Sequence, residues 1–221
     1  TPRPIDVDGV PAVLWEVDDS QGSAIILPGS SRAGHRLGGI PARPDLHFTR
    51  ALLLAHRLTV LELWWDAEAA PSGAEVEDWL LERALSAVAA APTPLRLALG
   101  RSLGSRALAK LVVAGAAPSV LVWVAPLLVH PEVRRAAREA APASCIVAGT
   151  ADEATPRDDL RAVEDAGATM VRIEGASHGF EAGGSAADDA RALALALDEL
   201  DAATRDYLGW KHVLENEPIS I

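Results

Sequence analysis

The stretch Leu95–Ser105, LRLALGRSLGS, constrains this chain more than any other. Leucine recurs at every second position from Leu95 to Leu99, the period of a strand, and Gly100 ends the run. Gly100-Arg101-Ser102-Leu103-Gly104 then opens an alanine-rich helical run that reaches about Gly115. A buried strand, a sharp turn and a helix are predicted, with Ser102 at the apex of the turn. A serine held at positive φ points its hydroxyl out of the sheet, and small residues two positions to either side let strand and helix approach. Gly100 and Gly104 meet that need. The helix that starts at Leu103 would add free N–H groups and a positive dipole end, which favour negative charge developing beside the serine. This is the arrangement of a nucleophile elbow. The plainer reading is a glycine-rich turn whose serine caps the helix.

Apolar runs of strand length alternate with helical runs along the rest of the chain. Strands are predicted over Val13–Val17, Ser23–Leu27, Thr59–Trp64, Val120–Ala125, Ser144–Ala148 and Thr169–Ile173. Helices are predicted over His47–Arg57, Glu75–Ala90, Pro131–Ala140, Pro156–Ala166 and Ala186–Arg205, with loop signals filling the stretch up to Pro44. Such alternation, with apolar strand cores, predicts an α/β fold: a three-layer α/β/α sandwich around a mainly parallel sheet. Leu111–Val129 carries no charge and approaches the length of a membrane span. Gly115, Pro118 and Pro126 interrupt it, so it reads as a helix end, a turn and a buried strand.

With 221 residues, 49% of them hydrophobic, the chain can build one sizeable core, and a single domain over 1–221 is expected. A net charge of −11 argues against nucleic acid or an anionic membrane as a partner. Cys145 is the only cysteine, which rules out an intramolecular disulfide and fits a reducing, cytoplasmic setting. The N-terminus, TPRPIDVDGVP, has neither the basic start nor the apolar core of a secretory signal; it begins without methionine, which leaves a removed leader open.

In a parallel α/β sheet, ligands bind beyond the carboxyl ends of the strands. After the strand at Ser144–Ala148 comes Gly149-Thr150-Ala151-Asp152, which brings a carboxylate to that edge. After Thr169–Ile173 comes Glu174-Gly175-Ala176-Ser177-His178-Gly179-Phe180, which brings an imidazole. Ser102, Asp152 and His178 thus follow the chain order known for acyl transfer in one fold.

On GRSLG, GTADEATP and GASHGF, together with LPGSS after the early strand, the chain resembles the α/β-hydrolase superfamily, in particular its small, uncapped, dienelactone-hydrolase-like and esterase-like members. The resemblance runs from about Ala24 to Leu200. It implies Ser102 as nucleophile, His178 as general base and then acid, and Asp152 as the group that orients the imidazole. It also implies an oxyanion hole from the backbone N–H of Leu103 and that of Ser30, with Ser31 the alternative to Ser30. Relatives usually carry His-Gly where this chain has Pro28-Gly29, and the donor is a backbone N–H in either case. Larger relatives insert a lid where this chain has Ala125–Ser144, which has room for one helix, so no lid domain and an open site are expected.

Each residue also has a plainer role. His178 would be a solvated loop histidine, and Asp152 a cap for the helix near Pro156, with Glu153 the nearest substitute acid. Histidines 35, 47, 56, 130 and 212 have no metal-ligand spacing with carboxylates or cysteine, though His35 and His130 fall in strand-end loops that would face a substrate. Trp64 and Trp65 would line a pocket or pack the rim. Arg32 and Arg101 flank the inferred site, where they would attract an anionic substrate or pair with acids. Gly29–Arg36 has the glycine spacing of a phosphate loop without its lysine and hydroxyl. The expectation is therefore a serine hydrolase of an ester-like or thioester-like small-molecule acyl substrate, needing no cofactor and no metal. The alternative is a catalytically idle scaffold of the same fold that binds a ligand or partner.

Overall fold

The computed structural model describes residues 2–30, 44–65, 71, 73 and 75–208. They form strands β1 (Pro2–Val7), β2 (Val10–Trp15), β3 (Gly22–Leu27), β4 (Leu58–Leu63), β5 (Leu95–Arg101), β6 (Val120–Val124), β7 (Ser144–Gly149) and β8 (Thr169–Ile173). Helices α1 (Pro44–Ala55), α2 (Glu75–Ala90), α3 (Leu103–Val113), α4 (Pro131–Glu139), α5 (Arg157–Asp165) and α6 (Ala186–Leu208) connect and close them. Most predicted elements recur within a few residues of their expected ends, α2 and β8 at the expected residues.

The eight strands make one sheet in the order β1-β2-β4-β3-β5-β6-β7-β8, parallel from β4 to β8. β1 and β2 pair antiparallel with each other, and β2 antiparallel with β4. This end corrects the sequence reading: the strand expected at Val13–Val17 runs from Val10 to Trp15, and β1 was not expected. Asp8 and Gly9, with φ of 50° and 79°, make the tight hairpin turn, for which Asp-Gly is a strong signal. β1 carries Pro2 and Pro4, and it is the sheet's edge, where a missing N–H is tolerated.

The apolar runs are apolar throughout because both faces are covered. Leu80 of α2, Leu108 of α3, Val133 of α4 and Val163 of α5 share one core with one face of the strands. Leu46 and Leu53 of α1 pack with Ala196 and Leu200 of α6 against the other. The β6-to-β7 connection holds only α4 and a 3-10 turn at Ala141–Ala143, with no inserted lid domain. No helix among the described residues is long and apolar enough to cross a membrane.

Strand order positions the site. From β3 the chain steps outward to β4 and then returns past β3 to β5. The loops after β3 and β5 therefore leave in opposite directions and open a crevice at the carboxyl ends of these neighbours.

Candidate active site

Ser102 sits at that crevice with φ 49° and ψ −113°, between the end of β5 and the first turn of α3. Its side chain makes no capping bond to the helix, so the N-cap reading fails. The turn is held by its own backbone: Ser102 N–H donates to Val124 O at 3.0 Å, and Ser105 N–H donates to Ser102 O at 2.9 Å. Both motif glycines are demanded sterically. A Cβ on Gly104 would stand 1.9 Å from Leu27 O, and one on Gly100 would stand 2.6 Å from Gly104 O. Ser105, unremarked in the sequence, donates its hydroxyl to Ser102 O at 2.6 Å and accepts Leu127 N–H at 3.0 Å. It thereby ties the loop after β6 to the elbow.

The loops after β7 and β8 clamp one another. Thr150 N–H donates to Ile173 O and Ala151 N–H to Ala176 O, each at 3.0 Å, while Gly175 N–H donates to Thr150 Oγ1 at 2.8 Å. Gly149 permits this: a Cβ there would lie 2.1 Å from Ala176 O. A glycine closing a strand just before a functional loop is the same signal as Gly100, and sequence reasoning passed over it. Phe180, at φ 63°, buries its ring in the core beside α6 and anchors the far side of the histidine loop.

Together these loops bring Ser102, His178 and Asp152 into one line. His178 Nδ1 lies 2.8 Å from Asp152 Oδ2, and His178 Nε2 lies 2.9 Å from Ser102 Oγ. A carboxylate only accepts, so Nδ1 carries the proton and donates; Nε2 is then the acceptor for the serine O–H. Asp152 is buried, and its Oδ1 accepts Ala154 N–H at 2.8 Å. It does not cap α5, which begins at Arg157 behind Pro156. Glu153 is exposed. The imidazole keeps 36% of its side-chain surface open, so a substrate can reach it. A base poised on a hydroxyl and oriented by a carboxylate is the geometry of an activated nucleophile.

Leu103 starts α3 directly after the serine. Ser30 follows Gly29, whose Cβ would stand 3.1 Å from Ser102 Cβ, so the loop after β3 passes beside Ser102. Trp65 supports that loop: it is buried, and its Nε1–H donates to Gly29 O at 3.3 Å. Trp64 is more exposed. Ser31, Arg32, His35 and His212 lie outside the described residues, as does most of the glycine-spaced stretch Gly29–Arg36.

Of its two expected roles, Arg101 takes the pairing with an acid. It is fully buried, and its Nε donates to Asp45 Oδ2 at 2.6 Å, so its charge is already met inside the protein and does not face a substrate. His47 contacts Arg50, and His56 contacts Asp201; they lie on and next to α1. His130 precedes α4 and stands 3.6 Å from Glu132. Among the described residues, no group of three His, Cys, Asp or Glu side chains is disposed to hold a metal ion. A cavity of about 930 Å³ opens beside the histidine loop between α1 and α6. Phe48, Phe180, Leu193 and Leu197 give it an apolar lining, with Asp189 and Asp198 among its walls.

No family model and no curated protein matches the chain. Solved structures do match over nearly its whole length. One is an α/β serine hydrolase without a lid from Xanthomonas campestris, 18% identical with a TM-score of 0.59, covering 96% of this chain and 95% of that one. Another is Est1E from Butyrivibrio proteoclasticus, 16% identical with a TM-score of 0.68, covering 94% and 99%. A third is the esterase domain of a Rhodothermus marinus protein, 15% identical with a TM-score of 0.64, covering 95% and 99%.

Proposed function

From the α/β-hydrolase fold that this chain has, we propose that it is a serine hydrolase cleaving an ester-like or thioester-like bond through an acyl-enzyme on Ser102. One observation carries the reading: the unbroken contacts from Asp152 through His178 to Ser102, 2.8 and 2.9 Å long, at the switch point of the sheet.

Each residue has a step. Ser102 Oγ attacks the substrate carbonyl carbon while its proton passes to His178 Nε2. The imidazolium so formed is stabilised by the buried Asp152 carboxylate at Nδ1–H. Negative charge gathers on the carbonyl oxygen, where the N–H groups of Leu103 and Ser30 would receive it beside the positive end of α3. When the tetrahedral species collapses, the bond to the alcohol or thiol breaks and Nε2 returns the proton to the leaving group. Water then attacks the acyl carbon with the same base, releasing the acid and restoring Ser102. Among the described residues, the β6-to-β7 connection holds no lid to cover the substrate's far end. The apolar cavity beside the histidine loop, with carboxylates in its walls, favours an uncharged acyl or alcohol group over an anionic one.

Labelling with a fluorophosphonate followed by mass mapping tests this. An adduct on Ser102 is expected, lost in Ser102→Ala and nearly lost in His178→Ala. Turnover of short-chain p-nitrophenyl esters should fall about 10⁴-fold or more in His178→Ala, and about 10⁴-fold in Asp152→Asn, which leaves the imidazole in the wrong tautomer. Methyl ferulate joins the screen because Est1E has been solved with ferulic acid bound. No adduct at any serine would overturn the reading in favour of a ligand-binding scaffold.

A further inference from the structure

Arg101 lies inside the elbow motif, yet the proposed mechanism gives it no step. Burying a guanidinium is costly unless its donors are met, and here two separate segments accept from it while a third packs against it. Nε donates to Asp45 Oδ2 at the start of α1, at 2.6 Å. Nη2 donates to the carbonyl oxygen of His178 itself, at 3.3 Å. Nη1 lies against the loop after β3, 3.1 Å from where a Cβ on Gly29 would stand. One planar group thus touches the backbone of the base and the loop that carries Ser30, and it is held in place by a buried carboxylate.

We infer that Arg101 is a positioning residue, which fixes the backbone of His178 and so the reach of its imidazole to Ser102 and Asp152. Stability alone does not call for this pair, since a well-packed apolar pair in its place is often as stable. The rigid fork is what two simultaneous contacts require; a lysine can meet Asp45 but cannot hold His178 O as well. The catalytic consequence rests on the hydrolase reading, whereas the positional one does not.

The test uses Arg101→Lys and the charge-free pair Arg101→Met with Asp45→Leu, each checked for folding by near-UV circular dichroism. Both should label at Ser102 with fluorophosphonate about 10- to 100-fold more slowly than the parent, the scale of a misplaced reacting group. With p-nitrophenyl acetate the loss should fall on kcat and leave KM nearly unchanged. A low-field proton signal from His178 Nδ1–H, assigned by its loss in His178→Ala, should be present in the parent and broadened or absent in both variants. Folded variants with parental labelling and an unchanged proton signal would overturn the inference. So would failure of both variants to fold, which would make the pair a folding requirement and nothing more. A parent that gives no Ser102 adduct would sink the hydrolase reading instead, and the proton signal would still decide the positioning role.

Discussion

At the scale of single residues, absent side chains shape this site as much as present ones. Gly104 and Gly149 both sit where another segment's carbonyl occupies the volume of a Cβ, Leu27 O in one case and Ala176 O in the other. The first lets α3 close onto β3 and the second lets the histidine loop close onto the acid loop. Gly149→Ala should therefore push back the backbone around Ala176, two residues before His178. The expected cost is about 1–3 kcal/mol of stability from overpacking, read by thermal melting, together with a marked loss of Ser102 labelling. A variant that melted lower but labelled at the parental rate would show that the clamp supports the fold and not the alignment. GRSLG was legible from sequence because the glycine spacing and the strand-to-helix change coincide. Gly149 ends its strand as Gly100 does but has no motif around it, so its role emerged only from the contact with Ala176 O.

At the scale of elements, α1 is tied to the sheet by charge as well as by Leu46 and Leu53. Arg50 Nη1 donates to Glu62 Oε2 on β4 at 2.9 Å, and the guanidinium lies 4.1 Å from the centre of the Trp15 ring on β2. Trp15 Nε1–H also donates to Glu62 Oε2, at 3.3 Å. Burial pushes the Glu62 carboxyl above its usual range, against the pull of Arg50, Trp15 and His47. Arg50→Met alone strands a buried carboxylate and should cost about 3–5 kcal/mol in urea unfolding at neutral pH. Arg50→Met with Glu62→Leu should cost far less. A carboxyl whose folded pKa is raised loses stability as pH rises through that value, so the single variant's deficit should shrink as pH falls. Equal costs for single and double variants would show that the pair is not coupled.

At the scale of the molecule, the sheet is sealed by α6, and Cys145 reports the seal. The thiol lies on β7 in the core shared with Ala196 and Leu200. Burial, with Glu199 adding, pushes it up to about 12. An exposed cysteine ionises near ~8.5, so this group's contribution to stability is present below that value and is lost as pH rises toward the folded one. Iodoacetamide at pH 8 should leave Cys145 untouched in the native protein. Its labelling should rise with urea along the global unfolding curve. Rapid native labelling would mean that α6 lifts from β7 as a separate unit.

Much was settled by the sequence alone: the alternation of strands and helices, the elbow at Ser102, and the loops that hold Asp152 and His178. Those rest on short-range physics, namely side-chain period, the φ freedom of glycine and the stiffness of proline. Tertiary structure decided the antiparallel β1 and β2 at one edge, the choice of Asp152 over Glu153, and the burial of Arg101 against Asp45 and His178. The last two depend on segments far apart in the chain meeting at the carboxyl edge of the sheet, and the first on a local hairpin pairing with β4. Local pattern says which groups reach that edge; only the packing of the loops sets which atoms meet there.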